Sequence, residues 1–140
     1  MNTHPQTVLC IDAEGDQWNL RSGLLAGPGL RADIARSAAE ALQLLKNRRY
    51  AAVVIGNSLT DVTGTQLCRD LRRFDERTPV ILVGEADDKA AFDESKNAGA
   101  HAYIPRHLAP TNLIDLVAQL VTQNESDVRT RYKKARGSEN

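Results

Sequence analysis

Three short runs of Val, Ile and Leu constrain this chain most: TVLCI at 7–11, AAVVI at 51–55 and PVILV at 79–83. Each is too short for an ordinary helix, is rich in β-branched side chains and is bounded by acidic, glycine or other turn-forming residues, so each reads as a strand. A strand that is apolar at every position has no face to give to water, which points to a parallel sheet covered on both sides. Two weaker segments complete a set of five. Leu30–Ala35 alternates Leu30, Ala32 and Ile34 with Arg31 and Asp33, and Ala102–Ile104 is short.

Amphipathic stretches fill the intervals. Trp18, Leu20, Leu24 and Leu25 predict a helix over Asp16–Ala26, stopped by Gly27-Pro28-Gly29. Ser37 with Glu40, and Thr63 with Gln66, have the spacing of capping boxes, in which each side chain satisfies a free backbone N–H of the other. Ala38, Ala41, Leu42 and Leu45 follow the first box, and Leu67, Cys68 and Leu71 the second. Asp87 and Asp88 suit the start of a fourth helix and Gly99 its end; Phe92 is its only large hydrophobe, so much of it is expected to face solvent. Pro110 suits the first turn of a fifth helix, whose stripe is Leu113, Leu116, Val117 and Leu120. Strands alternating with helices predict one α/β domain over residues 1–123. Residues 124–140, mildly basic and poor in large apolar groups, read as a helix extension or linker.

In such sheets chemistry sits at the carboxyl ends of the strands, so the residues after Ile11, Ile55, Val83 and Ile104 matter most. Charge narrows the options: 18 basic and 18 acidic residues cancel, which argues against a general nucleic-acid binder. No apolar run is long enough to span a membrane, and Met1–Gln6 lacks the pattern of a signal peptide, so a cytoplasmic protein with reduced, buried Cys10 and Cys68 is expected.

At those strand ends the sequence resembles the receiver domain of two-component response regulators, over roughly residues 7–122. The pieces that carry the resemblance are VLCIDAE at 8–14, AAVVIGNSLTDVTG at 51–64, PVILVGE at 79–85 and AGAHAYIPRH at 98–107. It implies a doubly wound (βα)5, flavodoxin-like or CheY-like sandwich with strand order 2-1-3-4-5. It also implies a Mg²⁺-dependent phosphorylation on aspartate that rearranges one face to alter partner binding.

The positions that this chemistry requires are depleted. Asp12 keeps one of two expected metal-binding acids, but Ala13 stands at the other. The phosphoacceptor should precede Gly64 by eight residues, which is Gly56. Gly84 stands where a phosphate-binding Ser or Thr belongs, and a one-residue deletion there would supply no hydroxyl either. Arg106 replaces the usual Lys, and His107 the proline after it, so the Arg106–His107 bond is expected to be trans. Arg106 should then turn to Asp12, Glu14 or Asp61, while Asp16, Asn57 and Asp61 are the candidates for a displaced acceptor. Glu85 is expected to point to solvent, with an inward pose imitating a fixed negative charge as the alternative. Tyr103 matches an aromatic position that receivers swing in or out.

The expectation is a degenerate receiver with no enzymatic activity and no well-bound Mg²⁺. It would work by contact with a histidine kinase, output domain or other regulator, or as a homodimer, through a face around Phe92, Tyr103, Arg106 and His107. The alternative is a small-ligand sensor using the vacated pocket near Arg106. A ligand-sized cavity beside Arg106 would favour it, and filling by Trp18, Leu59 or Glu85 would count against it.

Overall fold

The computed structural model describes residues 6–56 and 59–135, and the side chains of those up to residue 123. Asn57 lies outside the described residues. The strands are β1 (Thr7–Ile11), β2 (Arg31–Ala35), β3 (Ala52–Ile55), β4 (Val80–Gly84) and β5 (Ala102–Pro105). The helices are α1 (Leu20–Ala26), α2 (Ala38–Asn47), α3 (Gly64–Arg72), α4 (Lys89–Asn97) and α5 (Ala109–Ala135), with a 3₁₀ turn at Arg106–Leu108. All pairings are parallel and the order is β2-β1-β3-β4-β5, the expected one.

Period-two alternation divides the apolar strands between two cores. Leu9, Ile11, Val53, Ile55, Val80 and Leu82 pack with α2 and α3 on one face, against Ala41, Leu67 and Leu71. Val8, Cys10, Val54, Ile81, Val83 and Ile104 pack with α1 and α5 on the other, against Leu24, Leu113 and Val117. Each fully buried Val, Leu or Ile contributes about 1.5–3 kcal/mol, so both layers are needed. Cys10 and Cys68 are free, buried and in different layers; burial pushes the Cys10 thiol up to about 12 and raises that of Cys68.

Local differences from the sequence expectations have identifiable causes. Helix α1 begins at Leu20 rather than near Asp16. The Asp16 carboxylate accepts from the N–H groups of Leu20 (2.6 Å) and Arg21 (3.1 Å), and Asn19 adopts a left-handed φ of 54°, so the chain turns before it coils. Both Ser37 and Thr63 cap as expected, each accepting from an N–H three residues on at 3.1 Å. The return bonds differ. Glu40 reaches the N–H of Arg36 (2.9 Å), and the Gln66 side chain goes to Asp70 (2.9 Å). Helix α4 buries only Ser95, as its composition implied, and β5 ends at Pro105, which offers no N–H. Helix α5 runs unbroken from Ala109 to Ala135, so residues 124–135 continue it. Among the described residues no helix is long and apolar enough to cross a membrane.

One polar clamp ties α3 to the turn before β5. Arg72 donates to the carbonyls of Gly99 (2.9 Å) and Asp75 (3.0 Å) and meets His101 Nδ1 at 3.1 Å. The same nitrogen accepts from Val80 N–H at 3.3 Å, so the imidazole serves here as an acceptor. Burial first, and the Arg72 cation second, hold its pKa below the ordinary value. A depressed histidine pKa stabilises the fold fully above its unfolded value of about 6.5, and that contribution is lost as pH falls through the folded value. Urea midpoints should therefore decline as pH drops from about 7 to about 5, and His101→Asn should flatten that decline. An equally steep profile in the variant would remove His101 as its cause.

Candidate functional site

The strand ends gather the expected residues at one edge of the sheet. Asp12, the first residue beyond β1, is 1% exposed. Its N–H donates to Ala35 O, its Oδ1 accepts from Glu14 N–H (2.9 Å) and its Oδ2 accepts from the Gln17 side-chain amide. Ala13 contributes only a methyl group, and its carbonyl faces the Arg36 guanidinium at 3.4 Å.

Gly56 follows β3, with its N–H bonded to Ile11 O at 2.7 Å. Its backbone does not need glycine, because its φ is outside the left-handed region; the need is for space. A Cβ there would stand 2.9 Å from Asp12 Cγ, closer still to Oδ2, and 3.1 Å from Ile11 O. The Asp12 carboxylate thus fills the volume in which a side chain at 56 would begin.

At the end of β4 a side chain again lies in the space beside a glycine. A Cβ on Gly84 would collide with the Tyr103 hydroxyl and lie 2.6 Å from Cε1 and 2.7 Å from Cζ. The Tyr103 ring lies over Gly84, its hydroxyl donates to Ala86 O at 2.7 Å, and the Phe92 ring meets it edge-on at 4.9 Å. Burial leads the rise in the Tyr103 hydroxyl pKa, with Asp88 and Asp87 adding to it.

Arg106 does not reach Asp12, Glu14 or Asp61. It faces Glu85 at 3.7 Å, and His107 faces Asp87 at 3.7 Å, both pairs well exposed. Solvent-exposed pairs of this kind are worth about 0–1 kcal/mol. The pairing follows from register: β4 and β5 match Gly84 with Pro105, so residues 85 and 106 emerge side by side. The acids expected to take Arg106 have other donors. Asp61 accepts from Ala38 N–H (3.1 Å) and Ala39 N–H (3.2 Å) at the start of α2, and these bonds, Ala38 foremost, lower its pKa. Asp16 caps α1. The Arg106–His107 bond is trans, as expected. Glu85 is outward and 69% exposed in its side chain.

A shallow cleft of about 360 Å³ opens between α3 and α4, lined by Gly56, Gly84, Leu59, Thr63, Glu85 and Tyr103 among others. Arg106 is not part of its wall, and the acidic Glu85 is, so the cleft offers no cation of Arg106 to an anion. Sequence reasoning did not single out Gln17 or Arg36. A long amide five residues past Asp12, beyond a glycine at 15, was the sequence signal for Gln17.

A profile of the response regulator receiver domain matches residues 8–118. The chain belongs to the response regulator receiver family. This receiver is 27% identical over 126 residues to the response regulator MprA of Mycobacterium sp. (strain KMS), covering 88% of this chain and 54% of that protein. It is 23% identical to the DNA-binding response regulator MtrA of Mycolicibacterium smegmatis, covering 91% and 55%. The chain spans about half the length of the curated relatives it matches. Among solved structures, a CheY-like receiver domain protein from Methanospirillum hungatei JF-1 is 25% identical with a TM-score of 0.75, covering 89% of this chain and 99% of that one. NtrX from Brucella abortus shares the fold, with a TM-score of 0.80 at 18% identity, covering 98% and 31%.

Proposed function

We propose that this receiver works in two-component signalling by protein contact alone, without being phosphorylated and without enzymatic turnover. The observation that carries the reading is the Asp12 carboxylate lying over Gly56, where an acceptor aspartate would have to begin. Glycine supplies no nucleophile at that position, and a side chain there would have to displace the Asp12 carboxylate.

The remaining residues do not fit Mg²⁺. The ion prefers near-ideal octahedral oxygen coordination, usually from one or two carboxylates, and gives up water reluctantly. Here one carboxylate is engaged by Glu14 N–H and Gln17, Ala13 offers no oxygen from its side chain, and Arg36 brings positive charge against the same loop. Asp16 and Asp61 are poor displaced acceptors, because both carboxylates hold helix-terminal N–H groups.

The working surface is the α4–β5 side, where Phe92 is 41% exposed and Leu108 40%, with Arg106 and His107 paired beside them. Its partner is a histidine kinase, an output domain, another regulator or a second copy of the chain.

Incubation with acetyl phosphate or beryllofluoride and Mg²⁺ tests the reading. Intact-mass analysis should show no gain, acid-labile phosphate should be absent, and Trp18 fluorescence should not change. Stoichiometric aspartyl phosphorylation would overturn it.

A further inference from the structure

We propose that Gly84 locks Tyr103 inward, so that the α4–β5 face is held permanently in one arrangement and needs no signal to adopt it. This deepens the reading of a phosphorylation-independent receiver and rests on it for its biological meaning, but its steric content stands separately.

Three observations meet at one ring. First, the backbone at Gly84 is in an ordinary strand region and pairs with Pro105, so any L-residue could take that conformation. What excludes a side chain is the Tyr103 ring, whose Cε1 and Cζ lie 2.6 and 2.7 Å from where a Cβ would stand. Real Cβ contacts essentially never come closer than 3.0 Å, and the obstacle is a flat ring anchored at its far end, not a free chain tip.

Second, the anchor is specific. The Tyr103 hydroxyl donates to Ala86 O at 2.7 Å, which fastens β5 to the loop that leads into α4. Third, Phe92 of α4 packs edge-on against the same ring at 4.9 Å and 67°, an aromatic geometry worth more than its area alone. Strand, loop and helix are therefore joined through a side chain that fits only because position 84 is empty. A two-state face needs two packings of comparable free energy. Filling position 84 is the change that would disfavour the inward one. With glycine there, no competing group enters the space.

The lock predicts a particular non-additivity. Gly84→Ala should push the ring out, break its bond to Ala86 and raise amide hydrogen exchange across residues 86–92 by about five- to tenfold, while β1 and β2 exchange as before. In a Tyr103→Ala background the same Gly84→Ala change should have no further effect on that segment, because the obstacle is gone. Tyr103→Phe keeps the ring and loses the bond, so Gly84→Ala should still perturb it. A crystal structure or ring NMR signals of Gly84→Ala should show Tyr103 turned outward. Two results would overturn the proposal: Tyr103 remaining bonded to Ala86 in Gly84→Ala, or an equal perturbation by Gly84→Ala with and without Tyr103. Neither involves a phosphodonor, so a failure here is distinct from a positive phosphorylation result, which would overturn the functional reading and leave the cycle to decide the lock.

Discussion

Gly56→Asp is expected to destabilise the protein by about 2–4 kcal/mol and to leave it unphosphorylated. On the proposed reading, an aspartate at 56 would supply an acceptor, and the geometry argues that it would not function as one. The new Cβ would stand 2.9 Å from Asp12 Cγ, so the Asp12 carboxylate must leave the pocket it shares with Glu14 N–H and the Gln17 amide. Two carboxylates would then crowd a site in which Asp12 alone is already 1% exposed, and like charges at close range oppose joint ionisation. A divalent cation could relieve this only with more oxygen ligands. Adding Mg²⁺ should therefore recover little of the lost stability in Gly56→Asp, and much more when Ala13→Asp is present as well. Urea unfolding of the single and double variants, with and without Mg²⁺, gives the comparison. A single variant as stable as wild type, or one labelled stoichiometrically by acetyl phosphate, would mean that Asp12 yields its place freely.

Arg72→Met should cost about 2–4 kcal/mol, the second large effect. Methionine keeps most of the apolar stem that lies beneath Gly99, where φ is 105° and a Cβ would meet Arg72 Cγ at 2.7 Å. It removes the donors to Gly99 O and Asp75 O and the neighbour of His101 Nδ1. The half-buried carbonyls lose partners while the packing stays, so the loss belongs to the hydrogen bonds. A second readout separates this from general loosening. With the Arg72 cation gone, one of the two causes that depress the His101 pKa disappears, and the NMR titration midpoint of His101 should rise toward its ordinary value. An unchanged midpoint would mean that burial alone sets it.

The architecture was legible because its signals are local. Unbroken Val/Ile/Leu runs mark buried parallel strands whatever surrounds them, and Ser37 and Thr63 declare helix starts through spacings of three residues. The small residues Ala13, Gly56 and Gly84 were legible as departures from the side chains that the resemblance implies. What occupies the space beside them was not. That Asp12 turns toward Gln17 and over Gly56, or that Tyr103 lies across Gly84, depends on distances between strands that no spacing encodes. The partner of Arg106 sits between these cases. Glu85 follows from the strand order and the match of Gly84 with Pro105, whereas Asp12, Glu14 and Asp61 were chosen by charge alone. Two of those acids turned out to be satisfied by backbone N–H groups, which a charge count does not see.

The two cysteines acquire a use from where they sit. Cys10, on β1, is buried in the layer under α1 and α5, and Cys68, on α3, in the layer on the opposite face of the sheet. A thiol reacts as its thiolate, and burial keeps both protonated, Cys10 up to about 12. Capture of either by a soluble reagent must wait for its own layer to open. The molecule thus carries one silent clock on each side of the sheet, and the difference between their rates measures whether the two halves of the sandwich breathe together or apart.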